Sequence, residues 1–223
     1  MVLLLDGLRT IDGFPPVVVE VWGPAALFTR PEAKVERLTY PVMTPSAAVG
    51  VLEAIFWKPE FSWRIQAIEV LNPIKEASVR RNETEQVVTW KAALEGQRAD
   101  TSTSRTQRSA TYLKDVRYRI YAHVVLRPRA NEPVAKYRDQ FRRRVTKGAC
   151  FSQPYLGTRE FVASFGDPSS AAPIPASADL GIMLHSIAFD EGGTNPKSSW
   201  FTARLENGVM QVPEHGIQTG GPS

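Results

Sequence analysis

The stretch "KDVRYRIYAHVVLRP", Lys114 to Pro128, alternates apolar and polar residues in the pattern that predicts a half-buried β-strand. The apolar face consists of Val116, Tyr118, Ile120, Ala122 and Val124. The polar face consists of Arg117, Arg119, Tyr121 and His123. Two arginines, a phenol and an imidazole on one face indicate a strand that joins a core on one side and meets a polar ligand on the other.

The composition is typical of a folded protein without a metal centre. The chain has 223 residues, of which 43% are apolar and 22% charged, enough for one large domain or two small ones. A single cysteine, Cys150, excludes an internal disulfide and favours a reducing compartment. One cysteine and three scattered histidines do not form a structural zinc site, and we expect no cofactor. The apolar run Val2–Leu5 is too short for a signal peptide or membrane span, so we expect a cytoplasmic protein.

Positive charge is concentrated in the middle of the sequence. Residues 80–147 contain 17 Lys/Arg and 7 Asp/Glu, a net charge of +10, whereas the rest of the chain is net negative. This asymmetry predicts a localised surface that binds a polyanion. For the run "FRRRVTKG" alone, a solvated helix face is an equally good interpretation.

The first half of the chain predicts three core strands and two helices. A strand runs from Val17 to Trp22, and a helix begins at the N-cap Thr44 and ends before Pro59. The segment "SWRIQAIEVLNPI" is a second strand, and the opening stretch is the third. Between them, residues 75–110 are polar and basic, which predicts an irregular arm or long hairpin with β-like pieces around Val79 and Val87–Trp90.

The second half predicts one more helix and further strands. A helix runs from Pro133 to Lys147, where Gly148 ends it, and a strand lies near residues 160–165. The end of the chain is β-like, with a hairpin turn at Asn207-Gly208.

The order βαββαβ predicts an α+β fold of the ferredoxin-like type, which RNA-recognition domains share. We expect an N-terminal extension over 1–16, a ferredoxin-like RNA-binding domain over 17–165 with a thumb insertion at 75–110, a C-terminal β-rich region over 166–213 and a tail over 214–223. In such a sheet the helices cover one face and leave the other free, and we expect the polar face of the third strand to lie on the free side.

Four long blocks resemble a known family in sequence and in order. They are "FTRPEAKVERLTYPVMTPSAAVGVLEAIFWKPEFSWRI", "VLNPIKEASVRRNE", "QRSATYLKDVRYRIYAHV" and "QPYLGTREFVASF". These blocks are similar to the Cas-five family of CRISPR-associated proteins, subtype I-C (the Dvulg type), over roughly residues 17–213.

The resemblance implies a ferredoxin-like domain with a β-hairpin thumb and a smaller C-terminal β-domain. It also implies a subunit of a type I-C surveillance complex (Cascade) that binds the 5′ handle of the CRISPR RNA (crRNA). The implied partners are crRNA and its precursor (pre-crRNA), the Cas-seven backbone subunit, the Cas-eight large subunit and target DNA, with no membrane. In this family the subunit also cuts pre-crRNA, without metal, through the 2′-OH of the RNA.

The resemblance further implies a catalytic set of a tyrosine, a lysine and a histidine. The histidine corresponds to His123, whereas Phe56 stands in the tyrosine position and Tyr121 in the lysine position. Two interpretations follow. Either His123 and Tyr121 form a changed catalytic pair with charge from Arg117, Arg119 or Lys114, or the subunit holds the handle without cutting it. Of the two, we favour cutting, because acid–base contributions are modest and replaceable.

The candidate RNA-binding residues are mostly basic. Arg80 and Arg81 are the strongest candidates for handle binding, because they begin the predicted arm and arginine clamps phosphates and stacks on bases. A solvated hairpin is the alternative interpretation of this pair. The other candidates are Lys114, Arg117, Arg119, Arg30, Phe28, Arg159 and Gly157.

Overall fold

The computed structural model describes residues 8–33, 36–84, 88–96, 105–189 and 196–218. The helices are α1 (Pro45–Ile55), α2 (Trp90–Leu94) and α3 (Val134–Lys147). The strands are β1 (Val17–Ala26), β2 (Phe61–Val70), β3 (Glu76–Thr84), β4 (Arg105–Leu126), β5 (Ser164–Gly166), β6 (Ala178–Phe189), β7 (Pro196–Leu205), β8 (Val209–Gln211) and β9 (Ile217–Gln218). The predicted mixed α+β class is confirmed.

A six-stranded antiparallel sheet forms the larger part of the fold. Its strands lie in the order β5-β1-β4-β2-β8, and β3 pairs with the first part of β4. The 22-residue β4 is therefore shared between two structures. Its second part lies between β1 and β2 in the centre of the sheet, and its first part extends beyond them to form a hairpin with β3.

The two longer helices pack on the apolar face of this sheet. Aromatic contacts join β2 to α3, where Phe61 meets Tyr137 and Trp63 meets Phe141, with ring centroids 5.2 and 4.7 Å apart. The predicted helix ends are confirmed: the Thr44 hydroxyl accepts a hydrogen bond from the Ala47 amide, and Gly148 ends α3 in the left-handed conformation. Among the described residues, no helix combines the length and apolarity needed to cross a membrane.

The hairpin of β3 and β4 occupies much of the segment predicted as an arm. The prediction of a β-like piece at Val87–Trp90 is wrong at Trp90, which begins the helix α2 with Thr89 as its N-cap. Val87 lies outside the described residues. The helix forms here because the Thr89 hydroxyl accepts a hydrogen bond from the Ala92 amide, which favours a helical turn over an extended chain.

Asp115 shifts the alternation of β4 at the base of this hairpin. Its φ of +52° is unusual for a residue other than glycine, and Asn72 stabilises the turn by donating to the Asp115 carbonyl and carboxylate. As a result, Leu113 and Val116 both enter the core although they are three residues apart.

The C-terminal part of the chain forms a second sheet and then returns to the first. β6, β7 and β9 make a three-stranded sheet, while β8 pairs with the edge strand β2. Between β7 and β8, Asn207 and Gly208 both have positive φ, so the predicted turn is confirmed. The two sheets are thus joined through the edge of β2.

Candidate active site

The polar face of β4 is closed by a buried ion network, so the expectation of a free face is wrong. Arg119 lies directly opposite Glu20 of β1 and Glu69 of β2, and all three side chains are about 1% exposed or less. Arg119 Nη2 donates to Glu20 Oε1 at 2.7 Å, and Arg119 Nη1 donates to Glu69 Oε2. Three adjacent strands are therefore joined through one guanidinium.

A loop after β5 covers this network. Ser169 donates its amide and its hydroxyl to Glu20 Oε1, each at 2.8 Å, and Arg119 donates to the Ser169 and Ala171 carbonyls. Arg117, which is partly exposed at the edge of the network, donates to Glu20 Oε2 at 2.7 Å. Arg117 and Arg119 are thus bound to protein groups in this conformation, where Arg119 is buried and Arg117 is partly exposed. Their contact with RNA stays a prediction.

The two carboxyl groups of the network differ in acidity. Burial raises the pKa of Glu20, but hydrogen bonds from Arg119, Ser169 and Arg117 outweigh burial, so the pKa of Glu20 is lowered. Burial also raises the pKa of Glu69, and there the hydrogen bonds do not compensate, so it stays raised.

Tyr121 belongs to the same buried network. Its hydroxyl donates to Glu69 Oε1 at 3.0 Å, and the side chain has no exposed surface. Burial, together with the nearby Glu69 charge, raises the pKa of the phenol. The expectation that Tyr121 projects toward a substrate is therefore wrong in this conformation, and its role in catalysis stays a prediction.

His123 lies beyond this network and lines a pocket of about 250 Å³. The side chain is itself 2% exposed, so only its edge meets the pocket. Other residues of the lining come from both ends of the chain and from β2: Arg9, Ile11, Arg64, Gln66 and Glu214. His123 thus faces a partly open pocket rather than an open sheet.

A β-bulge aims Gln66 at His123. The pairing of β2 with β4 shifts between Ile65 and Ala67, which leaves Gln66 as the extra residue. We assign the Gln66 side-chain amide in the orientation that gives both its nitrogen and its oxygen a hydrogen-bond partner. In this orientation the nitrogen donates to His123 Nε2 at 2.8 Å, and the oxygen accepts from the Arg9 backbone N–H. Gln66 therefore favours the neutral histidine tautomer that carries its proton on Nδ1.

The electrostatic environment also keeps His123 neutral. Burial lowers the pKa of His123, the positive charges of Arg138 and Arg64 lower it further, and a hydrogen bond with the Arg9 backbone only partly opposes them. A neutral imidazole at pH 7 can accept a proton, which is the property of a general base.

Arg64 is the cation nearest to His123 in register. The two residues are paired directly across β2 and β4, so their side chains leave the sheet on the same face. Arg64 Nη1 donates to Glu214 Oε1 at 2.6 Å, and the more exposed Arg9 lies 3.9 Å from the same carboxylate. The pocket therefore combines a proton acceptor with guanidinium groups.

Phe56 lies away from this pocket. Its ring contacts Phe61 with centroids 5.4 Å apart, and Phe61 in turn packs on α3. The Phe56 side chain therefore belongs to the helix-covered face, whereas His123 leaves the opposite face of β4. A catalytic pair of the residues at these two positions is not assembled in this structure.

Several predicted RNA-binding residues contribute to the fold. Phe28 is 2% exposed and packs on Tyr118, so its ring is not available to bases in this conformation, and its contact with RNA stays a prediction. Gly157 has a φ of +90°, and a Cβ there would stand 2.0 Å from the Leu27 carbonyl oxygen, so this glycine allows two backbones to pack. Arg30 stacks on the Tyr40 ring at 4.7 Å and pairs with Glu32.

The remaining predicted residues are accessible. Arg80, Lys114 and Arg159 are exposed on the surface around the hairpin. Arg81 is partly buried. It forms ion pairs with Glu83 at 2.8 Å and with Glu160 at 3.9 Å. The prediction of RNA contact stays open for these residues, and Arg80 and Arg81 point to opposite faces of β3 because they are neighbours in a strand.

Sequence reasoning missed the pocket residues that surround His123, among them Arg9, Arg64, Gln66 and Glu214. Arg64 and Gln66 carried a usable signal, since "SWRIQ" alternates in β2 next to the strand that holds His123. Arg9 and Glu214 carried none, because nothing local in sequence indicates that the two ends of the chain meet.

Comparison with known proteins identifies relatives along most of the chain. The family model described as "CRISPR-associated protein (Cas_Cas5)" matches residues 17–213. The "CRISPR pre-crRNA endoribonuclease Cas5d" of Mannheimia succiniciproducens is 45% identical over 87% of this chain and 93% of its own. The protein of the same name from Thermus thermophilus is 42% identical over 90% of this chain and 92% of its own.

A solved structure supports the same assignment. The structure titled "Crystal Structure of CRISPR-associated Protein" superposes with a TM-score of 0.64 at 27% identity. The match covers 88% of this chain and 90% of the other.

Proposed function

This chain belongs to the CRISPR-associated Cas5 family, type I-C, and from this premise we propose that it is an endoribonuclease that cleaves pre-crRNA within the repeat and keeps hold of the 5′ handle. The two relatives above 40% identity are named for that activity. The single observation in this molecule that carries the proposal is the pocket that places neutral His123 beside Arg64.

The proposed reaction uses the 2′-OH of the RNA as nucleophile. His123 Nε2 accepts the proton of the 2′-OH, after the Gln66 amide has moved aside, and the 2′-oxygen attacks the adjacent phosphorus. The bond from phosphorus to the 5′-oxygen breaks, and that oxygen takes up a proton. The products are a 2′,3′-cyclic phosphate and a 5′-hydroxyl.

The lowered pKa of His123 suits the role of base. A histidine held neutral near pH 7 is ready to accept a proton, and the histidinium formed after attack can return the proton to the leaving oxygen or to water. Tyr121 lies two residues before His123 in β4, and its hydroxyl donates to Glu69 of the buried network. Phenylalanine at position 56 cannot exchange a proton, so the chemistry depends on His123 and its neighbours.

We further propose that residues 17–165 form a ferredoxin-like RNA-binding domain with the hairpin at 75–110 as its thumb. The strand order β5-β1-β4-β2, with α1 after β1 and α3 after β4, supports this assignment. The region 166–213 is then a C-terminal β-rich extension bound to the edge of β2 through β8.

The RNA path we propose runs from the hairpin to the pocket. Arg80, Lys114 and Arg159 are exposed, and they supply phosphate contacts for the handle. In Cascade the partners would be the Cas-seven and Cas-eight subunits and, within the complex, target DNA. We propose these partners because the chain belongs to this family.

The experiment is cleavage of the cognate labelled repeat RNA by purified protein in EDTA. Wild type should yield a 2′,3′-cyclic phosphate end, and His123→Ala should lose cleavage by about 10²–10⁴-fold while binding the RNA normally. Glu206→Gln is the control, because Glu206 is exposed and does not line the pocket. Equal cleavage by His123→Ala and wild type would refute the proposal.

Three observations favour a second function, a structural cap that binds the handle without cutting it. His123 is 2% exposed, Tyr121 is fully buried, and Phe56 lies on the far side of the sheet. Under this alternative, wild type binds the repeat RNA tightly in EDTA and leaves it intact.

A further inference from the structure

Two arginines of the His123 pocket share one carboxylate from the far end of the chain. Glu214 Oε1 accepts from Arg64 at 2.6 Å, and Glu214 Oε2 lies 3.9 Å from Arg9 Nη1. The three residues and His123 line the same pocket. An anionic group therefore already occupies the place where cations converge beside the histidine.

The backbone next to Glu214 is anchored independently of this carboxylate. The Val212 amide donates to the Gln66 carbonyl at 2.9 Å, and His185 Nε2 lies 3.0 Å from the Pro213 carbonyl. The Glu214 side chain can consequently swing away from Arg64 while the segment before it stays in place. Its ion pairs are partly exposed, with side-chain exposures of 33% for Arg64 and 44% for Glu214, so they are weak enough to be replaced.

Arg64 is also the arginine on this face that is not tied into the buried network. Arg119 is enclosed by Glu20 and Glu69, and Arg117 is paired with Glu20. A phosphodiester that enters the pocket would meet Arg64, directly across from His123, and a guanidinium can hold two phosphate oxygens at once.

We propose that Arg64, assisted by Arg9, is the binding site for the scissile phosphate, and that Glu214 occupies this site as an internal anion until RNA displaces it. The identification of the bound phosphate as the scissile one rests on the proposed function. The anion site itself, and its competition with Glu214, stand on the contacts of the pocket.

The first test measures anion binding without any cleavage. The chain has three histidines, so the ring signal of His123 can be assigned in NMR spectra by comparison with His123→Asn. Inorganic phosphate is titrated into wild type, Glu214→Gln and Arg64→Ala. We expect the His123 signal to shift at several-fold lower phosphate concentration in Glu214→Gln than in wild type, and not to shift in Arg64→Ala.

Matched controls and refutation are available in the same experiment. Glu206→Gln and Arg204→Ala remove the same charges from exposed positions outside the pocket and should titrate as wild type does. Absence of a phosphate-dependent shift of His123 in Glu214→Gln, with the fold intact by thermal unfolding, overturns the proposal. Equal titration of wild type and Glu214→Gln overturns the competition by Glu214.

The second test uses single-turnover cleavage of repeat RNA in EDTA. Arg64→Ala should slow cleavage by about 10²–10³-fold, the loss typical of one group that stabilises developing charge. The cleavage rate of Arg64→Lys should lie between those of Arg64→Ala and wild type. Glu214→Gln should cleave faster than wild type at subsaturating RNA. If Arg64→Ala cleaves at the wild-type rate, the proposal is refuted. If wild type does not cleave but phosphate shifts His123 as expected, the anion site stands and the proposed cleavage fails.

Discussion

Removal of Arg119 should destabilise the protein strongly, because it leaves two buried carboxylates without their common partner. Glu20 would keep its bonds from Ser169 and Arg117, but Glu69 would keep only the Tyr121 hydroxyl. Breaking a buried ion pair from one side typically costs about 3–5 kcal/mol of unfolding free energy. For a chain of this length, that corresponds to a fall in melting temperature of roughly 6–20 °C.

The assay is thermal unfolding of Arg119→Met by calorimetry at pH 7 and at pH 5. The pKa of Glu69 is already raised by burial, and without the guanidinium it should rise further. A carboxyl whose folded-state pKa lies above its unfolded value destabilises the folded state at high pH and less so as pH falls. The difference in unfolding free energy between Arg119→Met and wild type should therefore be smaller at pH 5 than at pH 7.

Two variants control this prediction. Arg142→Met removes an exposed arginine from α3 and should change the unfolding free energy by less than about 0.5 kcal/mol. Addition of Glu69→Gln to Arg119→Met should recover part of the loss, since a neutral amide tolerates burial better than a charge. A loss below about 1 kcal/mol in Arg119→Met, or a loss that does not change with pH, would refute the reasoning.

Three further predictions follow from single sites. Gly157→Ala should lower the melting temperature more than Gly148→Ala does. Both glycines have positive φ, but only at Gly157 would a Cβ clash with backbone atoms. Equal falls in melting temperature would contradict this. The ring of His123 should titrate in NMR spectra below the ordinary histidine range, and cleavage should fall as pH drops through that pKa; a normal titration would remove the electrostatic account of the pocket. Arg80→Ala should weaken binding of repeat RNA and reduce its salt dependence by about one phosphate contact, without changing the cleavage rate at saturation; an unchanged affinity would exclude Arg80 from the RNA path.

Local patterns in the sequence predicted the elements well. The alternation of β4 placed His123 on the correct face, and Thr44 and Gly148 marked helix ends through short-range hydrogen bonds and backbone conformation. Such features depend on a few neighbouring residues, so they can be read without knowledge of the rest of the chain.

The covering of the polar face could have been predicted only in part. Glu20 and Glu69 are single acidic residues within apolar strands, which is the signature of a buried partner for an arginine on the strand between them. The loop that brings Ser169 onto the network and the meeting of Arg9 with Glu214 depend on long-range packing, for which the sequence carries no local signal.

The resemblance to the family pointed to His123 but not to its surroundings. Phe56 was expected to leave a gap in the catalytic set, and it lies in the core on the other side of the sheet. The charge expected from Arg117 and Arg119 is instead bound by Glu20, and the pocket takes its positive charge from Arg64 and Arg9.

The most direct test of the account is cleavage of repeat RNA in which one 2′-OH has been removed. After the cut has been mapped, the nucleotide on its 5′ side is replaced with its 2′-deoxy form, and wild type is assayed in EDTA for both binding and cleavage. The account predicts unchanged binding, no cleavage of the deoxy RNA, and a 2′,3′-cyclic phosphate with a 5′-hydroxyl from the unmodified RNA. Cleavage of the deoxy RNA, or a product that ends in a 3′-hydroxyl, would contradict it.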